Sequence, residues 1–472
     1  MTDSPLVTPA PGKPLLLLGA FELGSVGYVA DEFFISGTAS SYTSVTELGP
    51  DGRWSVTPSA NADYTTRIVV LTPVDQTQFN GTVLVEWLNV SGGIDAPAVW
   101  MMAHREIIRS GYAYVAVSAQ RVGVEGGESL LGIDMSLKSQ DPARYASLRH
   151  PGDAFAYDIF SQVGRLVKDA GHSSIVRELV AEHVVAVGES QSAMFLTTYV
   201  NAVDPLAEAY DGFLVHSRFA SAAPLDVISL FDESQIGIPD AVAFRTDLRV
   251  PLVTIITETD LFGPVRHGYY FARQPDNELL RVWEIPGAAH ADNYTIQVAP
   301  IDTGSAPLDD IVAAYAPTNM LMGQQLGHYI NFASQHHYVA QAALAALNTW
   351  VGTGEPAPTA PPIDVRETDQ PEPVLDSHGL AQGGVRTPWV DVPIARTSGV
   401  GGDENIMSAI FGSGEPFDAA TLHRLYPGGA EEYLQRFTAK LDTAIQSGFI
   451  LPADRAEILQ LADATYRRSR SE

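Results

Sequence analysis

The chain has 472 residues, 45% of them hydrophobic, and a formal net charge of −28. That is enough for a large core and, by length alone, for two or three domains; the negative field argues against nucleic acid and anionic membrane surfaces as partners. There is no cysteine, which excludes disulfides, thiolate nucleophiles and zinc sites with thiolate ligands.

Taken in chain order, residues 15–18 form a short apolar patch with neither a basic start nor a cleavage site, a poor signal peptide. No run approaches the roughly 18–20 apolar residues of a membrane helix. The expectation is a cytoplasmic protein without a membrane span, a mature secreted form being left open. Residues 27–47 and 64–73 alternate as strands do. VLVEWLN (83–89) is a continuous apolar run ending in a Gly-bearing loop, and 97–110 has helical spacing up to Gly111. YAYVAVSAQ follows as a second buried strand, and 153–169 reads as an amphipathic helix.

The alternation continues through the strand HVVAVGES, the helix QSAMFLTTYVNAV, the strands GFLVHSRF, PLVTIITETD and LRVWEIPGAAH, and a helix over 341–351. Strand and helix in turn predict a mostly parallel central sheet with helices on both faces. From residue 352 the composition becomes Pro-rich and extended, then helical over 418–445, broken near Pro427, and over 453–468. We therefore divide the chain into a core, 1–351, and a C-terminal extension, 352–472. The extension is expected to wrap the core, because PWVDVPIA (388–395) is apolar and needs burial.

The chemistry centres on VVAVGESQS, residues 184–192. A strand that turns at Gly188 into a helix presents Ser190 at the sheet edge and aims a helix N-terminus at it. A hydroxyl needs a base, a group to orient that base, and donors for the developing oxyanion. The plain alternative is a strand-to-helix turn whose serines cap the helix. The order downstream favours catalysis. Asp260 and Glu258 close the strand PLVTIITETD, and His290 follows the next one. Nucleophile, acid, base is the chain order of the α/β-hydrolase triad. Asp260 is the preferred acid, with Glu258 the alternative. The oxyanion donors expected are the backbone N–H of Gln191 and that of Val90 or Ser91 in the loop NVSGG.

Several stretches together resemble the α/β-hydrolase superfamily, and within it a bacterial branch of alpha/beta hydrolase domain proteins with a G-x-S-x-S elbow. They are VLVEWLNVSGG, RYASLRHPGDAFAYDIFSQ, VGESQSAMFL, ITETD, RVWEIPGAAHAD and GGVRTPWVDVPIA. They run from about residue 25 into the tail. The resemblance implies a serine hydrolase with Ser190 as nucleophile, His290 as base and Asp260 or Glu258 as acid. Ser192 departs from the wider superfamily, where glycine stands at that place.

Other motifs carry less. Adjacent His336 and His337 do not share a helix face, so with His328 they make a poor metal set. GVEGGES (123–129) lacks the layout of a dinucleotide loop. Neither a cofactor nor a metal is expected. Trp87, Trp100, Tyr199, Phe262, Tyr269 and Tyr270 read as core, with Phe262 and Tyr269 also placed to line a pocket. Segments 119–150 and 220–248 follow strands on the pocket side and carry Leu130, Leu131, Met135, Leu230 and Phe231. The reading is a serine hydrolase acting on a small-molecule ester with an apolar group. Acyl transfer on the same triad, or a non-catalytic binding role, are the alternatives.

Overall fold

The computed structural model describes residues 4–169, 175–226, 238–263, 267–368, 370–401 and 405–469. Two compact units divide the chain: 1–252 with 272–280 and 347–355, and 253–271 with 281–346 and 356–472.

In the first unit the strands are β1 (Leu6–Pro9), β2 (Tyr28–Ser44), β3 (Val56–Pro73), β4 (Thr82–Trp87), β5 (Ala113–Val117), β6 (His183–Glu189) and β7 (Gly212–His216). They lie in the order β1-β2-β3-β5-β4-β6-β7. Strands β5, β4, β6 and β7 are parallel, in register Leu84 to Tyr114, Leu84 to Val185 and Val187 to Leu214. β4, β5 and β7 are buried along their whole length, the behaviour expected of continuous apolar runs in a parallel sheet. The long hairpin of β2 and β3 is antiparallel, and β3 joins β5 antiparallel. Its outer half, residues 57–62, is exposed apart from a half-buried Ala62 and lacks apolar alternation, so only 64–73 was visible as strand from sequence.

Helices Ala98–Arg109, Ala156–Lys168 and Gln191–Thr198 pack on these strands. Trp87 at the end of β4 stacks on Phe195 with ring centres 5.1 Å apart and meets Phe160 at 4.8 Å. That aromatic cluster seats the helix that follows Ser190.

In the second unit β8 (Leu252–Thr257) and β9 (Leu280–Ile285) are neighbours. Both strands end earlier than the sequence suggests. The expected strand PLVTIITETD stops at Thr257, because Thr257 and Asp260 form a capping box that opens a short helix, Glu258–Phe262. The expected strand through His290 stops at Ile285, where Pro286 has no N–H and Gly287 takes φ 74°. The helix expected over 341–351 runs His337–Thr353.

The C-terminal extension is helical, as expected. Helices Ala419–Leu425 and Gly429–Gln446 flank the break at Pro427, and Arg455–Ser469 follows. Tyr426, Tyr433, Phe437, Leu441, Ile458 and Tyr466 form their common core. PWVDVPIA is buried at Pro388, Val390, Val392, Pro393 and Ala395 and half-buried at the other three residues, and it forms a helical turn, Pro388–Asp391, followed by the strand β10 (Ala395–Ser398). β10 pairs antiparallel with β11 (Ser413–Pro416).

Glu86 on β4 is fully buried and holds the start of helix Ala98–Arg109. It accepts the N–H groups of Val99 and Trp100 at 2.8 and 3.0 Å and the Tyr114 hydroxyl at 2.6 Å. Burial pushes its carboxyl up to about 8; those three donors oppose the shift and the Glu189 carboxylate adds to it. An acid raised on folding adds stability that is complete below its unfolded value of 4.5 and disappears as pH rises through about 8. Thermal midpoints measured from pH 5 to 9 should therefore fall more steeply for the wild type than for Glu86→Gln. Parallel curves would refute this assignment.

Candidate active site

Ser190 sits between β6 and the helix Gln191–Thr198 with φ 63° and ψ −118°. For a residue with a side chain this backbone costs on the order of 1–3 kcal/mol, and such strain collects at functional turns. It is held by the Ser190 N–H donating to His216 O at 2.9 Å, across the β6–β7 pairing. The turn is tight enough that a Cβ on Gly188 would lie 2.8 Å from Leu196 Cδ1 and 3.2 Å from Ser192 Cβ. Gly188 therefore makes the room that lets Ser192 stand where the wider motif has glycine. Ser192 is fully buried, and its hydroxyl has no hydrogen-bond partner among the described residues.

The loop after β4 is tied to this elbow by two side-chain amides. Asn89 Nδ2 donates to Glu189 O at 3.1 Å, and Val90 N–H donates to Gln191 Oε1 at 3.3 Å. Ser91 N–H turns instead to Asn89 Oδ1 at 2.8 Å. The loop closes through paired backbone bonds between Asn89 and Ala96. Behind it the buried Arg67 guanidinium bonds Asp95 at 2.7 Å and Ser118 Oγ at 3.0 Å. Gln191 N–H is the first of the helix, one of the donors without an intrahelical acceptor. Beneath Ser190, the Glu189 carboxylate lies 3.4 Å from His216 Nδ1, both side chains buried.

In the second unit Asp260 and His290 are joined by a bond of 2.6 Å between Oδ1 and Nδ1. Asp260 is fully buried, and its other oxygen accepts the N–H and hydroxyl of Thr257 at 2.8 and 2.7 Å. Burial by itself would raise this carboxyl; the His290 imidazole and the Thr257 donors outweigh it and hold it below the usual range. An ionised carboxylate only accepts, so Nδ1 carries a proton; in the neutral form of the ring the lone pair is then on Nε2.

Glu258, the alternative acid, bonds elsewhere. Its oxygens accept Gly287 N–H at 2.5 Å, Ser398 Oγ–H at 2.8 Å and Gly399 N–H at 2.9 Å. Burial raises this carboxyl against the pull of those donors.

The sequence-predicted residues thus fall into two local groups. Ser190, Gln191, Val90 and Ser91 belong to the first unit, Asp260 and His290 to the second. Sequence reasoning missed the amide clasp of Asn89 and Gln191, the hold of Thr257 on Asp260, and the donation from Ser398 and Gly399 to Glu258. The T-x-x-D spacing of TETD is the capping signal that was there to be read. Tyr269 is fully buried and Phe262 half-buried; Leu230 and Phe231 lie outside the described residues. His336 Nδ1 meets Asp292 at 3.2 Å, and His337 stacks on Tyr294 at 3.6 Å. Among the described residues no three His, Asp or Glu side chains are grouped to hold a metal, and no helix is long and apolar enough to cross a membrane.

A family model described as an alpha/beta hydrolase domain matches residues 3–460. The chain belongs to that family, and its architecture is the α/β-hydrolase fold, a mostly parallel central sheet with helices and a helical C-terminal extension. Among solved structures it is similar to a glucuronoyl esterase from Solibacter usitatus, at 11% identity over 60% of this chain and 81% of that one, with a TM-score of 0.32. It is also similar to an α/β serine hydrolase without a lid from Xanthomonas campestris, at 12% identity over 56% of this chain and 91% of that one, with a TM-score of 0.31. The chain has no match among curated proteins.

The elbow can be tested through its glycine. Gly188→Ala should destabilise the protein by about 1–3 kcal/mol in chemical denaturation, because the added methyl meets packed atoms. Adding Ser192→Gly should return part of that loss, since one of the two atoms it meets is then gone. Strictly additive effects would show that the two positions do not share the space.

Proposed function

We propose that the protein is a serine hydrolase that cleaves a carboxylic ester through an acyl-enzyme intermediate, with Ser190, His290 and Asp260 as its triad. The observation that carries the reading is the strained Ser190 backbone at a strand-to-helix turn. The Asp260–His290 bond, with Nε2 left as the basic nitrogen, supplies the partner chemistry.

His290 Nε2 takes the Ser190 proton as the hydroxyl oxygen bonds to the ester carbonyl carbon. The carbonyl oxygen becomes an oxyanion, received by the N–H groups of Gln191 and Val90. Val90 is preferred over Ser91. Its bond to Gln191 Oε1 is long at 3.3 Å and yields to a charged acceptor, whereas Ser91 is engaged at 2.8 Å in its own turn. The tetrahedral species collapses, and the imidazolium passes its proton to the departing alcohol. Water then attacks the acyl-enzyme with His290 again as base. The acid leaves and the Ser190 hydroxyl is restored.

Segment 126–136 supports an apolar acyl or alcohol group. It is laid on the 89–93 loop by Leu130 N–H to Ser91 O and Met135 N–H to Gly93 O, both 2.9 Å. It presents Leu130, Ile133 and Met135, each about 40% exposed (39%, 43% and 38%).

A fluorophosphonate probe should label the wild type stoichiometrically, with mass spectrometry locating the adduct on Ser190, and should not label Ser190→Ala. Folded wild type that resists the probe would favour the non-catalytic binding reading. Asp260→Asn should lower kcat by about 10³–10⁴-fold, because the imidazole loses its correct tautomer; Glu258→Gln should retain far more activity. Hydrolysis of p-nitrophenyl esters of rising chain length should peak above the acetate. A best rate on small, charged esters would overturn the apolar preference.

A further inference from the structure

The carboxylate that the triad does not use is built into a different device. Glu258 is fully buried, and its hydrogen-bond donors among the described residues are all neutral groups. A buried carboxyl persists where donors converge on it, and here three do. One, Gly287 N–H, opens the loop that carries His290. The other two, Ser398 Oγ–H and Gly399 N–H, come from the turn after β10 in the C-terminal extension.

A second strand of contacts runs beside the first. Thr259 Oγ–H donates to Gly399 O at 2.7 Å, and Thr259 Oγ in turn accepts the His290 N–H at 3.1 Å. Gly399 is thus gripped through both its N–H and its C=O. It stands so close that a Cβ would collide with Ala288 O and Thr259 N. Asn331 Nδ2 bridges Gly287 O at 2.7 Å and Ser398 O at 3.3 Å, and Ala291 N–H reaches Ile410 O at 3.0 Å. The His290 loop is therefore tied to the extension before, at and after the histidine.

We infer that the tail turn Ser398–Gly399 positions the His290–Asp260 pair, with Glu258 and Thr259 transmitting its hold. The inference rests on the reading of His290 as the general base. The four residues Thr257–Asp260 divide the work. Thr257 fixes the acid, Asp260 fixes the imidazole, and Glu258 and Thr259 fix the loop that the imidazole stands on. A base must be held to within about 0.5 Å to work, and a 1 Å displacement costs about 10²-fold. Loosening the tail should therefore act on kcat and leave substrate binding alone.

The test uses the full chain and three variants, Ser398→Ala, Gly399→Ala and Glu258→Gln. Hydrolysis of the best p-nitrophenyl ester is followed well below each thermal midpoint. Glu258→Gln and Gly399→Ala should lower kcat roughly 10- to 100-fold with KM held within about twofold. Ser398→Ala, which removes one hydroxyl and is expected to fold, should lower kcat by a smaller factor in the same pattern. The low-field proton resonance of His290 Nδ1–H, identified by its loss in Asp260→Asn, should shift or broaden in all three. Folded variants with unchanged kcat and an unmoved resonance, differing only in thermal midpoint, would overturn the inference. The resonance reads the His290–Asp260 bond directly. If the wild type hydrolyses no ester and escapes the fluorophosphonate, the hydrolase reading fails on that result, while the resonance still decides whether the tail holds the pair.

Discussion

Ser190 occupies a backbone conformation that the chain adopts only because its surroundings insist on it. β6 arrives in register with β7, so the Ser190 N–H must meet His216 O; the helix leaves at once, so Met194 N–H must meet Ser190 O. These two bonds hold the serine at φ 63° and ψ −118°. Gly188 keeps the helix close, and the rings of Trp87, Phe195 and Phe160 seat it from below. The loop after β4 is joined to the elbow through the exchanged amides of Asn89 and Gln191. The strain at one residue is carried by the sheet, the helix and a loop together, which is how a costly conformation stays populated.

The second unit solves a different problem, the fixing of a buried polar pair. A buried carboxylate needs its lone pairs answered by donors, and the imidazole that it orients needs a fixed backbone. Thr257 answers for Asp260 and Thr259 for the backbone of His290. Glu258, one residue from Thr257 and two from Asp260, faces away from the pair into the tail turn. Consecutive residues in a short helix point in different directions. TETD can therefore serve the His290 loop and the tail turn at once, and two nearby carboxylates in the sequence have unrelated duties.

Much of this was legible in the sequence. VLVEWLN, YAYVAV and GFLVH read as buried strands because parallel strands are apolar on both faces. The break at Pro427 was placed correctly because proline cannot continue a helix at that point. The ends of β8 and β9 were not, because an apolar run shows where burial continues and not where a capping box or a proline halts the ladder. The outer half of β3 was missed for a similar reason: it is held by pairing with β2 and mostly exposed, so it shows no burial pattern. Position favoured Asp260 over Glu258 without deciding between them, since both stand at the end of the same apolar run.

By itself the sequence determined the alternation of strand and helix, the serine at a glycine turn, and the order of serine, acid and histidine. These are local or one-dimensional properties, written in apolar periodicity and in the few residues that tolerate a sharp turn. Only the tertiary structure decided which carboxylate meets His290, which loop N–H faces Gln191, and that Ser398 and Gly399 reach back to Glu258 across 140 and 141 residues of chain. Those choices depend on distances between segments remote in sequence, and no pattern of neighbours along the chain encodes them.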